Sequence, residues 1–140
     1  MFEVTDTPSP EALEAIGHGL TAFNAADIGP SERRSLAVLI GGPEAKGQRG
    51  GLNGYTAWGW LFVQWLWLPE DLRGQGIAGR LLEAAEEEAR KRGCHGAWID
   101  TFNPQARRAY ERQGYQVFGE LPDFPIGRAR VFLRKSLTAG

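Results

Sequence analysis

The apolar positions change their period several times along the chain, and each change marks an element. Leu13, Ile16, Leu20 and Phe23 recur at helical spacing and predict a helix from about Glu11 to Asn24, opened by Pro8-Ser9-Pro10. Phe2 to Thr5 reads as a short strand before it, and Gly29-Pro30 breaks the chain after it. Ser35 to Ile40, SLAVLI, reads as a strand. Gly51 to Trp58 and Trp60 to Leu68 read as two more, turning near Gly59. In the second of these, Trp60, Phe62, Gln64, Leu66 and Leu68 alternate with Leu61, Val63, Trp65 and Trp67. Both faces are apolar, which predicts a central strand covered on both sides, with most of its tryptophans in the core. The cluster Gly41, Gly42, Gly47, Gly50, Gly51 and Gly54 reads as a loop, Gly41 to Arg49, running into the next strand.

After a loop around Pro69-Glu70-Asp71-Leu72, Ile77, Leu81, Leu82, Ala85 and Ala89 form the buried stripe of the strongest helix, which starts at Gly76 or Ile77 and stops at Gly93. Glu86/Arg90, Glu87/Lys91 and Glu88/Arg92 stand four apart in the favourable acid-first order, so the Glu83 to Arg92 run reads as a solvated face. Gly96 to Thr101 is the next strand. Asn103 as N-cap and Pro104 in the first turn open a helix to about Gln113, closed at Gly114. Tyr115 to Gly119 and Arg130 to Lys135 are the last strands, and the alternating Arg128, Arg130, Arg134 and Lys135 read as the guard of an edge strand. The order β, α, three β, α, β, α, β, β contains no linker and predicts one α/β (α+β) domain over residues 1–140, a mixed sheet flanked by helices.

Composition narrows the function classes. Sixteen Lys and Arg stand against 17 Asp and Glu in 140 residues, a formal charge of -1, so nothing draws the chain toward nucleic acid or an anionic membrane. A single cysteine, Cys94, excludes a disulfide framework and a four-thiolate zinc site. Cys94-His95 and His18 lack further ligands at metal spacing, so no metal is expected. No apolar run reaches the roughly 20 residues a membrane helix needs. The opening MFEVTDTPSPEA has no basic stretch followed by an apolar core, so no signal peptide is expected, and the cytoplasm is the expected compartment.

The chemistry concentrates in Gly74-Gln75-Gly76-Ile77-Ala78-Gly79, which matches G-x-G-x-x-G, with Asp100 further on at a strand end. A dinucleotide fold is disfavoured. Pro69 to Arg73 separates the glycines from the strand before them, an antiparallel hairpin precedes them, and only 40 residues follow Asp100. No Lys-Ser/Thr pair follows, as a P-loop would need. A glycine turn opening a helix nevertheless exposes unpaired N–H groups that favour a pyrophosphate, with Arg73 and Arg80 at its edges.

Arg73-Gly74-Gln75-Gly76-Ile77-Ala78 resembles the Q/R-x-x-G-x-G/A signature of the GNAT-type N-acetyltransferases, and a second block is similar to another of that family's patterns: Asn103-Pro104-Gln105-Ala106, Tyr110, then Gly114-Tyr115. Leu66-Trp67-Leu68 and the ending RVFLRKSL resemble the family's pantetheine-pairing strand and last strand. The resemblance covers Ser35 to Leu137 well and the first third loosely. It implies a largely antiparallel sheet of about six to seven strands, with Trp60–Leu68 and Gly96–Thr101 splayed apart. It implies acetyl-CoA as co-substrate, held by Leu66, Trp67, Leu68, Arg73, Gly74, Gln75, Gly76, Ile77, Ala78, Gly79, Asn103, Ala106 and Tyr110.

The implied activity is acetylation of a primary amine, in a small molecule or a peptide, by direct attack in a ternary complex. Such a reaction needs a held thioester, an aligned amine, a donor for the developing oxyanion and a proton for the leaving thiolate. Tyr110 is the candidate general acid. It stands seven residues after Asn103 on one helix face, and a phenol is protonated at pH 7. Gln64 cannot act as a base, so Asp100, Glu120, Asp123 or a water remain for that role. Aromatic side chains with Asp100 or Asp123 at their rim would suit a cationic amine. The alternative function is a non-catalytic acyl-CoA-binding or sensing module. The sequence leaves the oligomeric state open, with a homodimer through edge strands as one option.

Overall fold

The computed structural model describes residues 1–41 and 49–138, in two compact units, Met1–Glu32 and Arg33–Gly140. Most of the expected Gly41 to Arg49 loop, with Gly42 and Gly47, lies outside the described residues.

The first unit is built around α1, Pro10–Ile28. Ser9 caps it, its side chain accepting from the Ala12 N–H at 3.1 Å, and Pro10 occupies the first helical position, where a missing N–H costs nothing. The helix outruns its expected end at Asn24 because Ala25 and Ala26 are strong helix formers; it stops at Gly29, the first residue with positive φ (98°). The strand expected over Phe2 to Thr5 does not form. Thr5 Oγ1 instead accepts from the Thr7 N–H at 3.0 Å, a local turn in place of a ladder.

The second unit is a six-stranded sheet in the order β1-β2-β3-β4-β6-β5: β1 (Arg34–Leu39), β2 (Gly51–Ala57), β3 (Trp60–Trp67), β4 (Gly96–Thr101), β5 (Gln116–Pro122) and β6 (Ala129–Ser136). Only β3 and β4 run parallel, joined by the crossover helix α2 (Ile77–Lys91); every other neighbouring pair is antiparallel. α3 (Pro104–Arg112) follows β4. Trp58 and Gly59, with φ of 47° and 77°, form the two-residue turn between β2 and β3, a geometry whose twist suits a hairpin.

Leu36, Leu52, Leu61, Val63, Ala97, Ile99, Val131 and Leu133 from one sheet face close over Leu81, Leu82, Ala85 and Ala89 of α2 and Tyr110 of α3. The opposite face carries Tyr55, Phe62 and Trp98. Phe62 stacks on Trp98 at 4.0 Å and meets Tyr55 edge-on at 5.4 Å.

Three expectations are corrected here. The Glu83 to Arg92 run is not all solvated. Glu86 is 1% exposed, and its carboxylate accepts from Lys135 Nζ at 2.7 Å and the Tyr115 hydroxyl at 2.9 Å instead of pairing with Arg90. Glu88/Arg92 does pair at 2.8 Å, and Arg92 also reaches the Arg34 and Ser35 carbonyls. The basic residues at the end guard no edge, because β6 lies between β4 and β5. Arg128 donates to the Phe102 carbonyl, Arg130 pairs with Asp100, Arg134 lies over Phe118 and Lys135 holds Glu86. Finally, β3 is not buried on both faces: Trp65 is 66% and Trp67 58% exposed.

Candidate active site

The reason for that last correction also makes the site. Gly54 pairs with Val63 and Asn53 with Trp65, so Gln64 is an extra residue on β3. A bulge of this kind bends the strand and shifts its phase by one. Leu61 and Val63 face the core before it; Leu66 and Leu68 pack against the core after it, and Trp65 and Trp67 turn to the other face. At the same point β3 and β4 part. Their parallel register runs from Trp60–Gly96 to Val63–Ile99 and goes no further. The far end of β3 still pairs with β2, up to Gly51–Trp67, but on the side toward β4 it pairs with no strand among the described residues. Its backbone groups there are available to an extended ligand.

Against this edge lies a cleft of about 1,010 Å³. Leu66 and Trp67 line it from β3 and Leu68 from the residue after it; Arg73, Gly74, Gly76, Ile77, Ala78 and Gly79 from the turn into α2 and its first residues; Asn103, Ala106 and Tyr110 from the cap and body of α3. The structure thus brings nearly all the sequence-selected residues to one surface. Gln75 is the exception: its side chain turns back and donates to the Asp71 carbonyl at 2.7 Å, bracing the loop. Arg73 braces it too, through Nε to the Leu68 carbonyl at 2.9 Å, and still lines the cleft. Arg80 is exposed and does not line it.

The glycines have separate physical reasons. Gly74 and Gly76 have φ of 74° and 76°, and a Cβ at either would meet no atom within 4 Å. The left-handed backbone is what selects glycine there. Gly76 caps α2 without a side-chain acceptor, and the first turn carries no acidic residue, so no side chain among the described residues satisfies the first N–H groups of the helix. At Gly79, by contrast, a Cβ would stand 3.1 Å from Gln113 Oε1, so that position reflects the close approach of α2 and α3.

On α3, Asn103 Oδ1 accepts from the N–H groups of Gln105 and Ala106 at 2.8 and 3.2 Å. Its carbonyl oxygen is therefore committed to capping, and the Nδ2 amino group is the donor that remains. Tyr110 is 6% exposed and lines the cleft. Burial first, and the negative charge of Asp100 second, push its phenol from 10 up to about 12. Sequence reasoning missed Arg108 and Arg112, which also line the cleft. The signal was present: two arginines at i,i+4 repel on a helix unless an anion lies against them.

A second cavity, of about 580 Å³, shares Leu66, Trp67, Thr101 and Tyr110 with the cleft. Phe62, Trp65 and Phe102 supply aromatic wall, and Gln64, Asp100 and Arg130 supply polar groups. Arg130 holds Asp100 through Nε at 2.9 Å and Nη2 at 2.7 Å. Of the acids considered from sequence, Glu120 and Asp123 line neither cavity; Glu120 lies 3.9 Å from Arg107. Among the described residues, no three His, Cys, Asp or Glu side chains gather as a metal site, and no helix is long and apolar enough to cross a membrane. Cys94 is buried, and His95 stands edge-on to Trp60 at 5.2 Å.

Residues 30–115 match the model of the acetyltransferase (GNAT) family. The chain is 48% identical to an acetyltransferase of Agrobacterium fabrum over 134 residues, 96% of this chain and 97% of that one. It is 40% identical to the blasticidin-S acetyltransferase of Streptomyces morookaense over 89 residues, 63% of this chain and 65% of that one. The crystal structure of an Agrobacterium tumefaciens protein assigned to the acetyltransferases superposes with a TM-score of 0.91 at 48% identity, covering 97% of this chain and 98% of that one. An acetyltransferase from Bacillus cereus shares the fold at 24% identity, with a TM-score of 0.81 over 96% and 97% of the two chains.

Proposed function

The chain belongs to the acetyltransferase (GNAT) family, and on that footing we propose that it transfers the acetyl group of acetyl-CoA to a primary amine by direct attack in a ternary complex. The observation that carries this reading is the meeting of two cavities at Tyr110, one suited to the thioester and one to the acceptor.

The first cavity fits coenzyme A in charge and shape. The first N–H groups of α2, which no described side chain caps, and the side chain of Arg73 line the cleft where a diphosphate would sit. Arg108 and Arg112 add positive charge for a further phosphate. The space beside Gly74 and Gly76 that a Cβ would fill is open to the ligand. The unpaired edge of β3 at Leu66 to Leu68 suits an extended amide-bearing arm, which the Asn103 amino group contacts from the other side. A backbone N–H on that edge is the oxyanion donor.

Tyr110 then does the acid chemistry. With its phenol near 12 it keeps its proton at neutral pH and donates a hydrogen bond, and finally a proton, to the departing sulfur. The nitrogen lone pair forms the new N–C bond as the C–S bond breaks. Overall, an ammonium and the thioester become the amide, the free thiol and one proton released to solvent. On this reading the protein works in the cytoplasm without a metal, nucleic acid or membrane partner, alone or as a homodimer. A relative named for acetylation of blasticidin S favours a small-molecule over a peptide acceptor.

The test is free-thiol release from acetyl-CoA across a panel of amines that includes blasticidin S, with the products identified by mass spectrometry. Amine-dependent thiol release with an acetylated product supports the reading. Tight coenzyme A binding without turnover on any amine would favour a non-catalytic acyl-CoA-binding module instead.

A further inference from the structure

The second cavity carries two formal charges on its lining, Asp100 and Arg130, and they cancel. Both contacts from Arg130, Nε at 2.9 Å and Nη2 at 2.7 Å, fall on the same oxygen, Oδ1 of Asp100. No hydrogen bond among the described residues engages Asp100 Oδ2 or Arg130 Nη1, which leaves one acceptor and one donor of the pair for a ligand. The guanidinium is kept in place by the rings of Phe124 and Phe132, whose centroids lie 5.1 and 5.5 Å from it. Its side chain is one-third exposed (33%) and that of Asp100 is 14% exposed, so the pair is neither sealed in the core nor free in solvent.

These facts change what the cavity can accept. A lone carboxylate among aromatic rings would draw cations, and a diamine or polyamine would be a good ligand. Here the carboxylate is already neutralised, and a second positive charge on the ligand would meet a fixed guanidinium in a partly desolvated space. A ligand that brings one charge of each sign meets a partner for both.

We propose that the Asp100–Arg130 pair makes this cavity a receptor for a small amino-carboxylate: the acceptor carries its ammonium against Asp100 Oδ2 and its carboxylate against Arg130 Nη1, with a flat or apolar body against Trp65 and Phe102. The proposal rests on the acetyl-transfer reading for its consequence, and narrows the cationic amine suggested by the aromatic wall and Asp100 to one that also carries a carboxylate. Asp100 and Tyr110 line the same cavity, and Tyr110 and Thr101, next in the chain to Asp100, also line the first cleft, so an amine held at Asp100 shares its cavity with residues of both. A volume of about 580 Å³ suits a ligand of amino-acid size with room for a larger substituent.

The probe is a matched trio: phenylalanine, phenylalanine amide and phenethylamine share one ring and one amine, and only the first has a carboxylate. Putrescine is added as a dication. Titrated calorimetrically into the full chain saturated with coenzyme A, phenylalanine should bind roughly 10- to 100-fold more tightly than its amide, the range for a hydrogen bond to a charged group. In Arg130→Gln that ratio should fall to about one, and Arg130→Lys should keep part of it. The ratio compares ligands within one variant, so partial loss of folded protein does not move it.

Equal binding of acid and amide, preference for putrescine, no binding by any of the four, or an unchanged ratio in Arg130→Gln would overturn the proposal. Thiol release measured on the same four compounds separates the two readings. Phenylalanine bound with the expected ratio while neither it nor any amine of the wider panel is acetylated keeps this inference about the cavity and rejects acetyl transfer; turnover of the amide or of putrescine, but not of phenylalanine, does the reverse.

Discussion

Lys135 on the last strand reaches across the sheet interior to Glu86 on α2, with Nζ 2.7 Å from Oε1, and the Tyr115 hydroxyl occupies the other carboxylate oxygen at 2.9 Å. Three polar groups from α2, β6 and the segment after α3 thus satisfy one another where Glu86 is 1% exposed. The arrangement fixes the helix whose N-terminus faces the cleft to the far side of the sheet. Lys135→Met would leave Glu86 buried without its counter-charge, and should cost about 3–5 kcal/mol in denaturant unfolding. Adding Glu86→Leu should recover most of that loss. A double variant no more stable than Lys135→Met would show that the loss does not come from an uncompensated charge on Glu86.

Tyr110→Phe removes the proposed acid while keeping the ring that packs in the core. Turnover should fall by roughly 10²- to 10⁴-fold. Coenzyme A affinity by calorimetry should change little. Turnover equal to that of the unaltered chain would take the acid role away from Tyr110.

The Tyr110 phenol also fixes a sign for alkaline stability. Its value is raised from 10 in the unfolded chain to about 12 in the folded one, by burial and then by Asp100, so the folded state holds the proton more tightly. That contribution is complete below pH 10 and is lost as pH rises toward 12. Tyr115, raised by burial and by Glu86, acts in the same direction. Unfolding free energy should therefore decline above pH 10, and the decline should be smaller in Tyr110→Phe.

Gly76→Ala tests the turn without adding charge. No atom lies within 4 Å of the new methyl group, so the cost comes from φ of 76° alone, about 1–2 kcal/mol for a left-handed residue. Because the N–H groups around this residue are the proposed diphosphate donors, coenzyme A should bind at least about tenfold more weakly, the equivalent of 1.4 kcal/mol. Unchanged affinity would place the diphosphate elsewhere.

Two other glycines should respond in opposite ways. At Gly54 a Cβ would run into the backbone carbonyl of Phe62, next to the β3 bulge, and Gly54→Ala should destabilise by about 2 kcal/mol or more. At Gly79 the crowding atom is the end of the flexible Gln113 side chain, which can move aside. Alanine's better helix propensity, about 1 kcal/mol, should then leave Gly79→Ala neutral or more stable. Melting temperatures of the two variants measured side by side check the contrast.

Local chemistry was enough to place most of this architecture. Proline after Ser9 and after Asn103, glycines at Gly29, Gly59 and Gly114, and the stripe from Ile77 to Ala89 act over a few residues, so helices and turns could be read directly. The glycine turn and the Asn103–Tyr110 spacing were legible for the same reason, since both depend on one helix at a time. What could not be read depends on partners distant in the chain. Period-two alternation carries no mark of an added residue, so the bulge at Gln64, which turns Trp65 and Trp67 out of the core and opens β3 beside the cleft, appears only once β2 is laid against it. A strand also looks alike whether it lies at an edge or inside, so only the order β4-β6-β5 turns the supposed guard of Arg130 and Lys135 into partners for Asp100 and Glu86. The sequence by itself determined where a left-handed glycine turn and a phenol would stand; tertiary pairing decided which charges meet, because a Coulomb contact depends on distance in space and not on separation along the chain.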